Sequence, residues 1–155
     1  MTPIDRSHIR VKAMLIAPND DVTAHVVALH PPTAENASGY HRLIGGSVEL
    51  GESHGDAIVR EVDEELGATI RDLTLLTAGE SIFRIDGVLG HEIVFLYMGR
   101  LEPSPNLEDA SLTEIDGTVV PVVWRPIHDR DESLPLYPSA AVGWVHRLSS
   151  ERPTH

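Results

Sequence analysis

The sequence predicts an α+β sandwich in which a mixed β-sheet carries helices on its faces. Segments with the short apolar patterning of strands outnumber segments with helical periodicity, and the two predicted helices fall in the middle and at the end of the chain. At 155 residues, the chain is long enough to bury a core without disulfides or metal clips. We therefore expect residues 1–155 to form a single domain.

The predicted strands are short apolar runs separated by turn residues. A first strand over residues 9–17 is followed by a Pro-Asn-Asp-Asp turn, and we expect it to pair as a hairpin with a second strand over residues 22–29. A short apolar patch at 40–44 follows a polar loop. Asp86-Gly87 is a strong two-residue turn signal, and Pro121 suits an edge strand or a strand start. The later strands are predicted over residues 69–77, 81–85, 91–98 and 119–127.

Two helices are predicted, and the first carries the unusual residues of the chain. Ser53 is a candidate N-cap for a helix to about residue 66, and Gly67 supplies its C-terminal stop. At about 100° per residue, one arc of this helix is aliphatic, with Ile58, Val62 and Leu66. The adjacent arc carries the carboxylates Glu61, Glu64 and Glu65. The second helix is predicted over 138–148, with a proline in its first turn and a broad apolar face.

Composition excludes several classes of function. There is no cysteine, so disulfides, thiolate metal sites and cysteine nucleophiles are excluded. Twenty-four acidic against twelve basic residues give a net charge of −12, which repels nucleic acids and anionic membranes. No apolar stretch approaches the roughly 20 residues of a membrane helix, and residues 1–10 do not read as a secretory signal. The nine histidines lack the short ligand pairings of a zinc site. We expect a cytoplasmic protein.

Half of the net charge is concentrated in residues 49–67, which hold seven acids against the single base Arg60, a local charge of −6. Like charges three or four positions apart destabilise a helix by about 0.2 to 0.5 kcal/mol per pair. A charge run alone is typical of a solvated face. Divalent cations such as Mg²⁺ bind carboxylate oxygens and would neutralise the cluster. A negatively charged substrate would need cations in the site, either basic side chains or bound metal.

The spacing of the acids is more specific than their number. Gly46 is followed after five residues by Glu52 and, after seven more, by the run Arg-Glu-Val-Asp-Glu-Glu-Leu-Gly over residues 60–67. This pattern resembles the signature of the Nudix hydrolases, G-x5-E-x7-R-E-U-x-E-E-x-G-U, where U is a bulky aliphatic residue. Every charged and glycine position matches, and Ala68 departs at the closing aliphatic position. The resemblance implies an α/β/α sandwich and a hydrolase of phosphoric anhydride bonds with Mg²⁺ or Mn²⁺ as cofactor.

The resemblance also implies roles for individual residues. The implied metal ligands are the glutamates Glu61, Glu64 and Glu65. A backbone carbonyl of Gly45 or Gly46 is a further candidate ligand, because glycine permits close approach. Glu52 would lie near the metals or their waters, and Arg60 would orient a box glutamate through a charge-assisted hydrogen bond. The implied catalytic residues are thus Glu61, Glu64, Arg60 and Glu52.

Several assignments stay open. The general base is either Glu61 within the box or a loop acid, Glu108 or Glu114, and Glu92 faces either the site or solvent. Just before the paired glycines, His41 and Arg42 are candidates for contact with a substrate phosphate. Sequence alone does not fix the number of metal ions.

We expect the protein to hydrolyse the diphosphate linkage of a nucleoside diphosphate linked to another moiety, a small-molecule partner. In some Nudix subfamilies a proline or tyrosine after the box marks the substrate, and residues 82–86 carry neither. Nucleoside triphosphates, oxidised nucleotides, ADP-ribose and nucleotide sugars therefore stay open. The alternative is a non-catalytic module that senses a nucleotide ligand. An isomerase of prenyl diphosphates is disfavoured by the lack of cysteine. A homodimer is a candidate assembly.

Overall fold

A computed structural model describes residues 7–114, 116–128 and 134–150 of the chain. Within these ranges it contains eight strands and two helices. Their bounds are β1 (Arg10–Ile16), β2 (Ala24–His30), β3 (Tyr40–Ser47), α1 (His54–Leu66), β4 (Thr69–Ile85), β5 (Val88–Glu102), β6 (Ser111–Thr113), β7 (Val119–Pro126), β8 (Leu136–Tyr137) and α2 (Ala141–Ser150).

The strands form one mixed sheet. Seven of them follow the order β4-β5-β1-β3-β2-β7-β6, and β8 pairs with β3 beside this path. The β1–β5 and β3–β8 pairs are parallel, and the other pairs are antiparallel. The predicted α+β sandwich with a mixed sheet is confirmed.

The predicted hairpin between the first two strands is wrong. β3 lies between β1 and β2, pairing through its C-terminal half with β1 and through its N-terminal half with β2. The turn after β1 joins the two strands only through a bridge between Pro18 and His25. β1 is buried on both faces from Lys12 to Ile16, so it lies inside the sheet with a partner on each edge. A turn signal reports chain reversal and not the partner of a strand.

The two predicted strands over residues 69–77 and 81–85 form one long strand, β4. Register shifts against β5, between Arg71 and Thr74 and between Leu75 and Thr77, absorb the break in its pattern. The predicted turn at Asp86-Gly87 is confirmed, since both residues have positive φ (49° and 80°), as a two-residue hairpin turn requires. The resulting β4–β5 hairpin is longer than predicted.

The tip of this hairpin is tied to the loop that precedes β3. The backbone N–H groups of Asp86 and Gly87 donate to the carboxylate of Glu35, at 2.8 and 3.1 Å. In return, Asp86 Oδ1 accepts a hydrogen bond from the backbone N–H of Ala34 at 2.9 Å. These three bonds tie the β4–β5 turn to the loop before β3, and Thr33 and Asp86 at this junction line the cavity described below.

The two helices pack on opposite faces of the sheet. Alternation along β1 directs Ala13 and Leu15 to the cluster that contains α1, and Met14 and Ile16 to the cluster that contains α2. The capping predicted for the first helix is confirmed, with Ser53 Oγ accepting from the N–H of Asp56 and Gly67 at φ 62°. In α1 the buried residues are Ala57, Ile58 and Val62. The glutamates Glu61, Glu64 and Glu65 lie on the neighbouring edge of the helix, outside this buried set.

Two further details concern the helices. α2 begins at Ala141, three residues after the predicted start. Ala68, the residue that departs from the Nudix pattern, is buried in the core cluster beneath α1. Neither helix of the described residues is long and apolar enough to cross a membrane.

Candidate active site

A cavity of about 530 Å³ opens beside the glutamate edge of α1. It is bounded by β1, β3, α1, the β4–β5 hairpin and the loop between β6 and β7. Acidic side chains line one part of it and basic side chains another. We name the acidic group the carboxylate cluster, which consists of Glu61, Glu64 and Glu65. We name the basic group the cationic cluster, which consists of Arg10, Lys12 and Arg42.

Arg60 lies at the centre of the hydrogen bonds around α1. Its guanidinium donates two hydrogen bonds to the carboxylate of Glu52, from Nε at 2.8 Å and from Nη2 at 2.9 Å. Nη1 donates to Glu61 Oε1 at 3.0 Å and to Glu64 Oε2 at 3.3 Å, and Nη2 donates to the carbonyl of Ser47 at 3.0 Å. These charge-assisted bonds lower the pKa of Glu52 and raise that of Arg60. Arg60 therefore fixes the end of β3 and three box glutamates relative to one another.

Glu52 has a different position from its three box companions. Both of its oxygens are held by Arg60, and Oε1 also accepts from the N–H of Glu49 at 3.2 Å. Glu52 does not line the cavity, whereas Glu61, Glu64 and Arg60 do. The geometry gives Glu52 the task of holding Arg60.

The two glycines before the box are required by close contacts. A Cβ on Gly46 would lie 2.4 Å from the carboxyl carbon of Glu61, so only glycine leaves room for that carboxylate. Gly45 has φ 138°, and a Cβ there would lie 2.1 Å from the carbonyl oxygen of Ala13. The backbone of β3 thus runs directly against the carboxylate cluster.

Glu65 is the most perturbed acid of the cluster. Burial, followed by the charges of Glu61 and Glu114, raises its pKa to about 8, although a hydrogen bond from the Gly45 N–H works in the opposite direction. Its Oε2 is shielded from solvent and has no hydrogen-bond partner among the described residues. A buried carboxylate oxygen without a donor is the kind of group that a cation stabilises.

The donor set fits a hard divalent cation. Three carboxylates and nearby backbone carbonyls of glycine are the oxygen ligands that Mg²⁺ and Mn²⁺ prefer. Within residues 7–114, 116–128 and 134–150, no three acidic or histidine side chains are already arranged as ligands around one point. Arg60 provides the positive charge beside Glu61 and Glu64 in this structure, and Glu64 is largely exposed.

Lys12 is a cavity residue that the sequence reasoning missed. It is only 7% exposed, and its Nζ donates to Ser47 Oγ at 3.0 Å. Burial and the neighbouring charges of Arg42 and Arg10 lower its pKa to about 8. A signal was present, because Lys12 is the one lysine of the sequence and interrupts an apolar strand.

His41 and Arg42, the two candidates for phosphate contact, are separated by the structure. Arg42 lines the cavity and donates from Nη2 to both oxygens of Glu92, at 2.9 and 3.1 Å. His41 does not line it, and its Nδ1 accepts a hydrogen bond from Arg125 at 2.9 Å. Adjacent residues of a strand point to opposite faces, which accounts for the difference.

The candidates for general base also differ in whether they line the cavity. Glu61 and Glu114 line the cavity, whereas Glu108 is exposed and lies outside it. Glu114 follows β6 directly, and partial burial is the largest cause that raises its pKa. Glu92 lines the cavity but is buried, and both of its oxygens are occupied by Arg42.

Comparisons with known proteins agree with this architecture. Residues 8–142 match the NUDIX domain family. A search of curated proteins found no match. Among solved structures, a MutT NUDIX hydrolase from Burkholderia pseudomallei aligns with a TM-score of 0.64 at 22% identity, covering 92% of this chain and 98% of that one.

Two further solved structures show the same fold. A MutT protein from Bacillus halodurans aligns with a TM-score of 0.62 at 20% identity, covering 93% of this chain and 85% of its own. An ADP compounds hydrolase aligns with a TM-score of 0.62 at 19% identity, covering 96% of this chain and 78% of its own. The family match spans most of the chain and includes the whole box. The chain therefore belongs to the NUDIX family and is a hydrolase that acts on phosphoric anhydride bonds.

Proposed function

We propose that the protein hydrolyses the diphosphate linkage of a nucleoside diphosphate joined to another moiety, with Mg²⁺ or Mn²⁺ as cofactor. The observation that carries this proposal is the pairing of the carboxylate cluster with the cationic cluster across one cavity. A diphosphate is shielded from attack by its own anionic oxygens, so its hydrolysis needs positive charge around both phosphorus atoms. The strands supply part of that charge, and the carboxylate cluster binds the ion that supplies the rest.

The residues that would hold the ion are Glu61, Glu64 and Glu65, with the Gly46 carbonyl as a further ligand. A divalent cation held there would supply positive charge to the phosphate oxygens and would activate water. Arg60 keeps Glu61 and Glu64 beside each other through Nη1. Glu52 acts through Arg60, since both of its oxygens are bound there.

A water that attacks phosphorus must lose a proton, and of the three candidates for general base, Glu61 and Glu114 line the cavity and Glu108 does not. Glu61 is bonded to the charged guanidinium of Arg60 at 3.0 Å, whereas Glu114, directly after β6, has His30 Nε2 3.4 Å from its Oε1. A carboxylate with a raised pKa is a stronger base, which favours Glu114 for this role. Arg42 takes part in substrate binding from the other side of the cavity, held in place by Glu92. His41 has no part in this proposal.

The test begins with a screen of nucleoside triphosphates, ADP-ribose and nucleotide sugars with Mg²⁺ or Mn²⁺, scored by release of phosphate or nucleoside monophosphate. Glu64→Gln should then lower kcat by orders of magnitude on any compound that is hydrolysed, while leaving the fold unchanged by circular dichroism. Glu108→Gln is the matched control, since Glu108 is exposed and outside the cavity. Near-normal turnover by Glu64→Gln, or no hydrolysis of any compound, would refute the assignment.

A further inference from the structure

We propose that Lys12 binds a free terminal phosphate of the substrate, and that the enzyme therefore favours nucleotides whose phosphate chain ends in such a group. Nucleotide sugars and similar compounds, in which both ends of the diphosphate are esterified, would be poorer substrates. This inference rests on the proposed function, because the proposed function determines where in the cavity the phosphate is cleaved. It adds a residue outside the box and a substrate class.

The first argument is the burial of an ammonium group without a counter-ion. Lys12 is 7% exposed and lies in the wall of the cavity. Its Nζ donates to the neutral hydroxyl of Ser47 and forms no ion pair within 4.0 Å with any residue of the described ranges. Removing a charge from water is unfavourable unless the charge is paired. The missing partner is an anion, and the cavity is the space from which it can come.

The neighbours of Lys12 increase this imbalance. Arg10 and Arg42 lie close enough to lower the pKa of Lys12 by repulsion, and burial lowers it further. Of the two acids that act on it, Glu92 is already held by Arg42 through both oxygens, and Glu114 is partly buried. A phosphate group bound at Lys12 would offset the charge of its ammonium group.

The second argument is the position of Lys12 along the cavity. Ser47, its partner, directly follows Gly46, and Gly46 lies against the carboxylate of Glu61. Arg10 Nη2 reaches the same Ser47 hydroxyl at 3.4 Å. A phosphate bound by Lys12 would therefore be a neighbour of the phosphates bound at the carboxylate cluster, as the next group of the same chain is.

Charge decides which substrates gain most from this arrangement. A terminal phosphate carries about −1.5 to −2 at neutral pH, whereas a phosphate esterified on both sides carries a single negative charge. Lysine is a compact point charge, and it suits a phosphate that presents several equivalent oxygens. Lys12 is the most buried member of the cationic cluster, and the other eleven basic residues of the chain are arginines.

The backbone pairing of β1 with β3 argues against a purely structural role for Lys12. Lys12 and Ser47 are already paired through the backbone of the two strands. The hydrogen bond from Lys12 Nζ to Ser47 Oγ is therefore not needed to hold the two strands together. A methionine at position 12 would suit the apolar strand around it, where Ala13 and Met14 are buried.

The experiment compares Lys12→Met with the wild type, using Arg71→Met as the control that removes one positive charge from an exposed position outside the cavity. Binding of inorganic triphosphate is measured by calorimetry with Ca²⁺ as the divalent ion. Loss of a charge-assisted contact should weaken triphosphate binding about 10- to 100-fold in Lys12→Met and leave it unchanged in Arg71→Met. Equal affinities in all three proteins, or no binding to the wild type, would overturn the proposal.

Thermal unfolding distinguishes a role of Lys12 in phosphate binding from a role in the stability of the fold. Without ligand, Lys12→Met should unfold at the same or a higher temperature than the wild type, because an uncompensated buried charge is gone. Triphosphate with Ca²⁺ should raise the unfolding temperature of the wild type and raise that of the variant much less. A variant that unfolds at a lower temperature yet keeps its response to triphosphate would show that Lys12 is structural and would overturn the proposal.

The substrate class is tested with ATP and ADP-ribose, which share the adenosine diphosphate portion and differ in the group that follows it. Lys12→Met should weaken the binding of ATP at least about 10-fold more than that of ADP-ribose. Equal losses, or a wild type without preference, would contradict the assignment to a terminal phosphate. The proposed function fails separately, through Glu64→Gln or the screen, so hydrolysis that depends on Glu64 together with unaltered binding in Lys12→Met would reject this inference alone.

Discussion

The two sides of the cavity are built in different ways. The carboxylate cluster comes from residues 61–65 of one helix, and Arg60 donates hydrogen bonds to two of its members, Glu61 and Glu64, one and four residues further along the chain. The cationic cluster comes from two strands, β1 and β3, which are far apart in sequence and pair with each other in the sheet. One side of the cavity therefore depends on a local sequence motif with fixed spacing. The other side depends on which strands pair.

This contrast suggests which changes should matter most. Residues of the helix side are fixed by short-range contacts, so a small displacement there should impair the chemical step. Residues of the strand side act at longer range and should affect binding and the pH dependence of the reaction. The predictions below test this division, beginning with the largest expected effect.

Glu114→Gln should lower kcat by about 100-fold or more if the loop acid accepts the proton from water. Because partial burial raises the pKa of Glu114, the reactive carboxylate is formed only as pH rises through that raised pKa. The acidic limb of the pH–rate profile should therefore disappear in the variant. Glu108→Gln, the exposed acid outside the cavity, is the control. An unchanged profile in Glu114→Gln would assign the proton to Glu61 and place the base on the helix side.

Gly46→Ala should lower kcat/KM about 100-fold, because the added methyl group would displace the carboxylate of Glu61. The matched control is Gly79→Ala, since a Cβ on Gly79 in β4 meets no atom within 4 Å. Both variants should retain a native circular dichroism spectrum. Normal turnover by Gly46→Ala would mean that the tight contact between β3 and the helix has no role in the reaction.

His25→Val concerns the core of the strand side. His25 is completely buried, and burial, Arg125 and His41 lower its pKa to about 3, so the folded protein keeps it neutral. The unfolded chain takes up a proton below its usual value of about 6.5, and the stability due to His25 is fully present above that pH and lost as pH falls towards 3. At pH 5 this loss amounts to roughly 2 kcal/mol.

Urea unfolding at pH 7 and pH 5 measures this effect. The wild type should lose more stability than His25→Val on acidification, because valine does not titrate. His128→Asn, which changes an exposed histidine, should follow the wild type. An equal loss in the wild type and His25→Val would show that other groups dominate the response to acid. Activity at pH 7 should be unaffected, since His25 does not line the cavity.

The features that the sequence predicted are those encoded over short distances. The caps at Ser53 and Gly67 and the glutamate edge of α1 depend on residues within one or two helical turns. The turn at Asp86-Gly87 depends on two residues that tolerate positive φ. Each of these follows from local backbone chemistry, and each could be predicted.

The features that escaped prediction depend on strand pairing. The register that sets Lys12 beside Ser47 joins positions 35 residues apart, and a turn signal after β1 suggested a different partner. The choice between His41 and Arg42 depended on which face of β3 borders the cavity. The buried pair of Arg42 and Glu92 likewise joins two strands that are not neighbours in the sheet. A single sequence does not encode these choices locally.

The occurrence of one lysine in the chain has a practical consequence. Reagents that acylate amines can modify only the amino terminus and a side chain inside the cavity. Coupling the protein to a surface or a dye through its amines would therefore attach it either at its amino terminus or at the pocket itself. A label attached to a cysteine introduced outside the cavity would leave the pocket open, because the chain has no cysteine of its own.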